Sequence, residues 1–165
     1  MRMLVNGRDV ASVSAKKRVL LDTMILCYAH DRLSPHHDKA ALIVKASVTG
    51  LIEAYVSYQN LMEFYSVMTG RRVKTPLKPC EASEICMLYA NSGAITKLIP
   101  ASAAYCEAFE TAEKTSVTDG DVFDCMLACT AKGNVDTIWT ENTGDFKRYG
   151  FINVENPLEW RWEEK

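Results

Sequence analysis

Carboxylates at several positions of this sequence have the residue type and the placement needed to bind a divalent cation. Asp22 ends a short apolar run, and Glu63 lies among apolar residues, where a charged group needs a partner or a metal. Asp124 has Asp121 three residues before it in a helical segment, so the two share a face. Asp145 follows a predicted strand. Oxygen ligands without His or Cys favour Mg²⁺ or Mn²⁺ over zinc.

Carboxylate-bound divalent metals are a common device for hydrolysing phosphodiester bonds. They lower the pKa of the attacking water, orient the phosphate and stabilise the leaving oxygen. Each acid also has a structural explanation: Asp22 as an ordinary turn residue, and Asp121 and Asp124 as residues favoured at a helix N-terminus. The convergence of four acids, Asp22, Glu63, Asp124 and Asp145, on one edge of the sheet is harder to explain by structural roles alone. The residues therefore predict a metal-dependent phosphoryl-transfer enzyme.

The predicted secondary structure brings these acids together. Short apolar runs predict strands at 19–21, 54–57, 95–99, 136–140 and 151–154, with helical segments between them. One of these helices is predicted to begin at Ser34-Pro35 and to stop at Gly50. Strands that alternate with helices predict an α/β fold, a three-layer α/β/α sandwich with a mostly parallel central sheet. In such a sheet the site lies at the carboxyl ends of the strands, where the acids fall.

The length of the chain limits the number of domains, and its net charge limits how it could bind a polyanion such as a nucleic acid. The 165 residues suit one domain, predicted at 18–165, with an extension at 1–17 that could be an added strand, an interface arm or an expression remnant. The net charge of −2 means that a polyanion must be held by a local basic patch or by a bound metal. Solubility alone also explains the mild acidity.

The cysteines and the absence of long apolar segments indicate the cellular compartment in which the protein is expected. The six cysteines include no C-x-x-C pair and have no His at zinc-finger spacing. Cys125 and Cys129 share a helical face but sit among apolar residues, which favours core packing. No segment resembles a signal peptide or reaches the length of a membrane span. These features predict a cytoplasmic protein without membrane association.

Three segments of the chain, in this order and spacing, match the pattern of one known family. Residues 19–29, VLLDTMILCYA, are similar to hhhDTNhLhYA, where h is apolar, and residues 57–64, SYQNLMEF, to a helix that supplies a glutamate after a Ser- or Thr-started turn. Residues 121–146, from DVFD to TENTGDF, are similar to hhDhhhhhhAhxxG…hhTxNxxDF. The sequence thus resembles the PIN-domain family, and within it the VapC-like toxin ribonucleases, over residues 18–158.

The resemblance implies cleavage of single-stranded RNA at a Mg²⁺ or Mn²⁺ site. By matching position, Asp22, Glu63 and Asp124 would be the core metal ligands. The resemblance further implies a homodimer and an antitoxin protein whose tail blocks the site. Thr23 and Thr140 would hold the carboxylates through hydroxyl hydrogen bonds, although β-branched residues are common at strand ends anyway.

The chain departs from the family pattern at two positions. Met24 stands where many members carry Asn, and Asn142 stands where the fourth acid is often found. Asp145 then becomes the best candidate for the fourth carboxylate, with Asn142 as a neutral ligand or orienting residue. Asp121 could substitute for it instead. These departures leave open whether a second metal ion is bound.

A basic loop and two alternative functions complete the predictions. Arg71, Arg72 and Lys74 could receive the RNA backbone, because phosphate contacts usually come from Arg and Lys, although charged loops are often merely solvated. The alternatives are an RNA-processing PIN nuclease without a toxin role and a non-catalytic PIN module that binds RNA or protein. A phosphatase with a nucleophilic Asp is disfavoured, because such enzymes typically carry a second Asp where Met24 stands.

Overall fold

The computed structural model describes residues 3–13 and 17–164. The strands are β1 (Met3–Val5), β2 (Arg8–Asp9), β3 (Arg18–Leu21), β4 (Glu53–Ser57), β5 (Ile95–Leu98), β6 (Thr137–Trp139), β7 (Asn153–Glu155) and β8 (Trp162–Glu164). The helices are α1 (Val10–Val13), α2 (Thr23–His30), α3 (His37–Val48), α4 (Tyr58–Thr69), α5 (Pro79–Asn91), α6 (Ser102–Lys114), α7 (Asp121–Ala131) and α8 (Thr143–Lys147). No helix within these residues is long and apolar enough to cross a membrane.

A five-stranded parallel sheet forms the centre of the molecule. Its strand order is β5-β4-β3-β6-β7, and every neighbouring pair is parallel. Within this sheet the central strand β3 comes first in the chain, β4 and β5 add outward on one side, and the chain then crosses to β6 and β7 on the other. The strand order therefore reverses between β3 and β6. In open α/β sheets this switch point is where ligands bind, beyond the carboxyl ends of the strands.

Helices cover both faces of this sheet, because its strands are apolar on both sides. Val19 and Leu21 of β3 belong to the core beneath α2, α3 and α4, whereas Leu20 between them packs in the core beneath α6, α7 and α8. Alternating residues of a strand point to opposite faces, so one short run contributes to both cores. The predicted α/β/α sandwich with a parallel central sheet is confirmed.

The two ends of the described chain form a second, antiparallel sheet of order β2-β1-β8. Met3 pairs with Glu164 and Val5 with Trp162, while Leu4 and Val5 pair with Asp9 and Arg8 of β2. Trp162 packs against Trp139 of β6, with ring centroids 6.1 Å apart. The small sheet is thereby joined to the main core.

One helix starts later than the sequence predicts. The pair Ser34-Pro35 predicts a helix start, but α3 begins at His37. The Ser34 hydroxyl accepts a 3.1 Å hydrogen bond from His36 N, and its carbonyl accepts one of 3.1 Å from His37 N, so the segment closes as a turn before the helix. The predicted stop at Gly50 agrees with its positive φ of 72° just after the helix.

Candidate metal centre

The central strand delivers Asp22 to the switch point of the sheet. Asp22 directly follows β3, and its side chain caps α2 by accepting a 2.7 Å hydrogen bond from Thr23 N at Oδ1. The hydrogen bonding between β3 and β6 continues one residue past Leu21, where Asp22 N donates to Trp139 O at 3.0 Å. Asp22 therefore lies beside the residue that follows β6.

That neighbouring residue is Thr140, which holds the second oxygen of Asp22. The Thr140 hydroxyl donates to Asp22 Oδ2 at 2.8 Å and accepts a 3.0 Å hydrogen bond from Asn142 N. Asp22 is only 8% exposed. Burial raises its pKa to about 6, partly offset by the hydrogen bonds from Thr140 and Thr23, while Glu63 and Asp145 raise it further. The predicted role of Thr140 in holding a carboxylate fits these contacts.

Glu63 reaches the same place from α4. Ser57 and Asn60 form a reciprocal capping box at the start of this helix, and Asn60 Nδ2 donates to Thr23 Oγ1 at 3.1 Å. Thr23 Oγ1 in turn donates to Glu63 Oε2 at 2.7 Å, and Gln59 Nε2 donates to Oε1 at 2.9 Å. Both oxygens of this half-buried carboxylate are therefore held by neutral donors.

Asp124 approaches from the first turn of α7 without such support. Burial raises its pKa to about 7, and the nearby charges of Asp22, Glu63, Asp145 and Asp121 raise it further. The Asp124 carboxylate forms no hydrogen bond or ion pair with any residue that the structure describes. A half-buried carboxylate that faces other carboxylates without a counterion is stabilised by a cation.

The three acids share one cavity with two residues of the predicted basic loop. Asp22, Glu63 and Asp124 line a cavity of about 740 Å³, and Arg71 and Arg72 line it as well. Lys74, the third predicted basic residue, is exposed but does not line this cavity. The arrangement places positive charge in the loop at the edge of a carboxylate cluster, which suits a phosphate-bearing ligand.

The other two predicted acids face an arginine. Arg148 Nη2 lies 2.8 Å from Asp145 Oδ1, and Arg148 Nη1 lies 3.1 Å from Asp121 Oδ2. Asn142 Nδ2 donates to the remaining oxygen of Asp145. Asp145 and Asp121 are thus close enough to influence Asp124 but already have partners of their own.

The carboxylate oxygens of the site suit a hard divalent cation, although the carboxylates do not form a preassembled metal-binding group. Within 3–13 and 17–164, no three His, Cys, Asp or Glu side chains form a ready-made metal-binding group. Carboxylates without a cation repel one another, so a looser arrangement is expected physically. The unpaired Asp124, the raised pKa values and the all-oxygen donors fit Mg²⁺ or Mn²⁺.

Three contributors to the site were missed by the sequence analysis. Asn60 links Ser57 to Thr23, Gln59 holds Glu63, and Arg148 joins Asp121 to Asp145. The available signals were weak: Asn60 occupies the third helical position of a capping box, where Glu or Gln is usual. Arg148 lies three residues after Asp145, which only suggests an ordinary helical ion pair.

Comparison with known proteins identifies the family. The sequence model of the PIN domain matches residues 19–152. The chain belongs to the PIN-domain family. This PIN domain is 31% identical to Ribonuclease VapC24 of Mycobacterium tuberculosis over 140 residues, which is 84% of this chain and 95% of that protein.

Solved structures share the fold of this PIN domain. One is VapC20 of Mycobacterium tuberculosis, a sarcin-ricin loop cleaving toxin, with a TM-score of 0.63 and 14% identity over 82% of this chain and 98% of that one. Another is DNA-bound VapBC from Salmonella typhimurium, with a TM-score of 0.60 and 16% identity over 86% of this chain and 98% of that one. At these identities the likeness shows the fold alone.

Proposed function

We propose that this PIN domain is a Mg²⁺- or Mn²⁺-dependent endoribonuclease that hydrolyses single-stranded RNA, and that it is the toxin of a toxin–antitoxin pair. The observation that carries the proposal is the meeting of Asp22, Glu63 and Asp124 in one cavity that Arg71 and Arg72 also line. The 31% identity to a ribonuclease along most of the chain supports it. Because the proposed substrate is cellular RNA, we place the protein in the cytoplasm.

The residues of the cavity have separate roles in this proposal. Asp22, Glu63 and Asp124 would hold the divalent ion. When bound, such an ion lowers the pKa of the attacking water and stabilises the charge that develops on the phosphate. Thr140 and Thr23 fix the orientations of the Asp22 and Glu63 carboxylates through the hydrogen bonds described above.

The RNA backbone needs positive charge, since the whole chain has a net charge of −2. Arg71 and Arg72 would supply it at the cavity, and Lys74 further along the same exposed loop. Contacts of this kind position a nucleic acid without reading its sequence. Asn142 and Asp145 complete the proposed site at its other edge, and Asp121 lies next to them.

We assign the proposed homodimer to an exposed aromatic face. Side chains from α4, α6 and α7 form this aromatic face: Tyr58, Met62, Tyr105, Phe109 and Phe123. Phe109 is 67% exposed, and aromatic residues and Met are enriched in protein interfaces. Because Phe123 lines both this face and the candidate metal centre, a second copy here would approach the active site.

The proposed antitoxin partner has a separate apolar surface available. Helices α3 and α5 border a groove of about 820 Å³ whose apolar lining comprises Val44, Val48, Ile85, Met87 and Leu88. Leu88 is 72% exposed in this α3–α5 groove. A concave apolar groove of this kind suits a short segment of a partner chain, as in helix-in-groove recognition. VapB–VapC complexes are known for proteins of this fold, which supports a partner of that type.

The deciding experiment compares wild type with Asp22→Asn for cleavage of labelled single-stranded RNA in Mn²⁺ or Mg²⁺. We expect metal-dependent cutting by wild type, loss of cutting in EDTA and loss in the variant. Cutting that resists EDTA, or that the substitution leaves unchanged, would overturn the assignment. Folded wild type that neither cuts RNA nor rises in melting temperature with metal would instead be a non-catalytic binding module.

A further inference from the structure

Arg148 makes two ion pairs with acids at the edge of the candidate metal centre. Its Nη1 is 3.1 Å from Asp121 Oδ2, and its Nη2 is 2.8 Å from Asp145 Oδ1. Asp121 belongs to the first turn of α7, whereas Asp145 belongs to α8. One guanidinium therefore joins the two elements that supply the outer acids of the site.

Contacts of Arg148 and Asn142 engage three of the four carboxylate oxygens that a second metal ion could use. Both oxygens of Asp145 are engaged, one by Arg148 and the other by Asn142 Nδ2. Mg²⁺ requires near-octahedral coordination by oxygen lone pairs at about 2.0–2.1 Å. An ion bound between Asp121 and Asp145 would have to displace a cation that is permanently charged and planar, with a geometry that matches carboxylates.

The acids of the inner cavity have a different environment. Asp22 and Glu63 receive hydrogen bonds from neutral groups, and Asp124 has no partner among the described residues. Among the residues that the structure describes, no cationic side chain is in direct contact with these three carboxylates. The five acids therefore divide into an inner set of three without a cationic partner in the described part of the chain and an outer pair that shares Arg148.

We propose that Arg148 takes the place of a second metal ion, so that the site binds one divalent cation through Asp22, Glu63 and Asp124. This inference rests on the proposed function, because it assumes that the inner acids bind metal. Two-metal phosphodiesterases place a second cation about 3.5–4 Å from the first. Here the guanidinium supplies fixed positive charge at the outer acids instead. Arg148 is a positioning residue in this scheme, acting on Asp121 and Asp145.

The test counts bound ions rather than activity. Isothermal titration with Mn²⁺ should give one ion for wild type and two for Arg148→Ala, because the substitution frees Asp121 and Asp145. The matched control is Lys147→Ala, which removes the adjacent exposed positive charge and should leave one ion bound. Adding Asp145→Asn to Arg148→Ala should return the count to one.

The outcomes separate this inference from the proposed function. Two ions in wild type, or one ion in a folded Arg148→Ala variant, overturns the role of Arg148. If Arg148→Ala does not fold, Arg148→Gln repeats the test, since it keeps hydrogen bonding but removes the charge. A wild-type ion that persists in Asp22→Asn, or no ion at all, instead overturns the proposed metal site itself.

Discussion

The Thr140 hydroxyl donates a 2.8 Å hydrogen bond to Oδ2 of Asp22 across the neighbouring strands β6 and β3. The opposite oxygen, Oδ1, accepts from Thr23 N at 2.7 Å. Both carboxylate oxygens are therefore oriented by groups whose own positions are fixed by the parallel ladder and by the first turn of α2. The carboxylate is held in position before any cation arrives, which reduces the entropy lost on binding.

Replacing Thr140 with valine tests this orientation. Valine keeps nearly the same volume, so the substitution removes the two hydrogen bonds of the hydroxyl, the one donated to Asp22 and the one accepted from Asn142 N. We expect the affinity for Mn²⁺ to fall about 10- to 100-fold, the usual effect of removing a group that orients a metal ligand. The matched control is Thr137→Val in β6, where the Thr137 hydroxyl donates to Asn153 O at 3.2 Å, away from the cavity. Equal Mn²⁺ affinities in the two variants, measured by calorimetry, would contradict the role of Thr140.

Thr23→Val tests the hydrogen-bond chain to Glu63. The substitution leaves Asn60 Nδ2 without its acceptor in a buried site and deprives Glu63 of a donor. An unsatisfied buried polar group costs about 1–3 kcal/mol, so urea unfolding should show a loss of that size. Thr23→Ser keeps the hydroxyl and should retain most of the stability and metal affinity. If serine and valine behaved alike, packing rather than hydrogen bonding would be the cause.

The metal-free protein should become less stable as the pH rises. Asp22 has a pKa of about 6 and Asp124 of about 7, both raised from an ordinary value of 3.8, mainly by burial. Between about pH 4 and about pH 7 the folded state therefore binds more protons than the unfolded state. The free energy of unfolding falls as the pH rises through this range. Urea unfolding in EDTA at several pH values measures this loss.

Asp124→Asn isolates the contribution of that carboxyl to the pH dependence. The variant should show a shallower fall in stability than wild type over the same range, because one of the two titrating groups is gone. Added Mn²⁺ should also reduce the fall for wild type, since the ion stabilises the charged carboxylates. A variant curve parallel to wild type would show that Asp124 does not carry this dependence.

Two charged substitutions distinguish the proposed protein surfaces. Phe109→Glu introduces charge into the aromatic face, and light scattering should show a shift from dimer to monomer. Leu88→Glu makes the same kind of change in the α3–α5 groove and should leave the dimer intact while weakening antitoxin binding. Burying an unpaired carboxylate at an interface is costly, which is why each effect should be large. A dimer unaffected by Phe109→Glu would exclude the aromatic face.

Much of the fold could be predicted because the strands carry strong local signals. The run from Val19 to Leu21 is apolar at every position, as expected for a strand buried on both faces, and it ends abruptly at Asp22. Glycines at the helix ends added further signals, as Gly133 does with its positive φ of 75° after α7. The start of α3 was misplaced because Ser34 can close a turn as readily as it can cap a helix.

The acids that meet at the candidate site could be picked out from the sequence, but the residues that contact them could not. Glu63 stands out because a carboxylate among apolar residues is costly, and Asp22 and Asp124 stand out because they lie at a predicted strand end and a predicted helix start. Arg148 gave no comparable signal, since its bond to Asp121 joins residues 27 apart in sequence. Contacts of that range depend on how α7 and α8 pack, which periodicity does not encode. The predicted metal ligands themselves stay a prediction until ions are counted.

The pairing of Met3 with Glu164 in the small terminal sheet also bears on the engineering of this protein. Since the two ends of the described chain run side by side, a short peptide linker should join them without disturbing the central sheet. New termini could then be opened elsewhere in an exposed loop, and circular permutants are tolerated at such sites. A permutant opened in the exposed loop at Arg71 and Arg72 would keep the inner acids on their strands and helices while releasing the basic loop from one of its anchors.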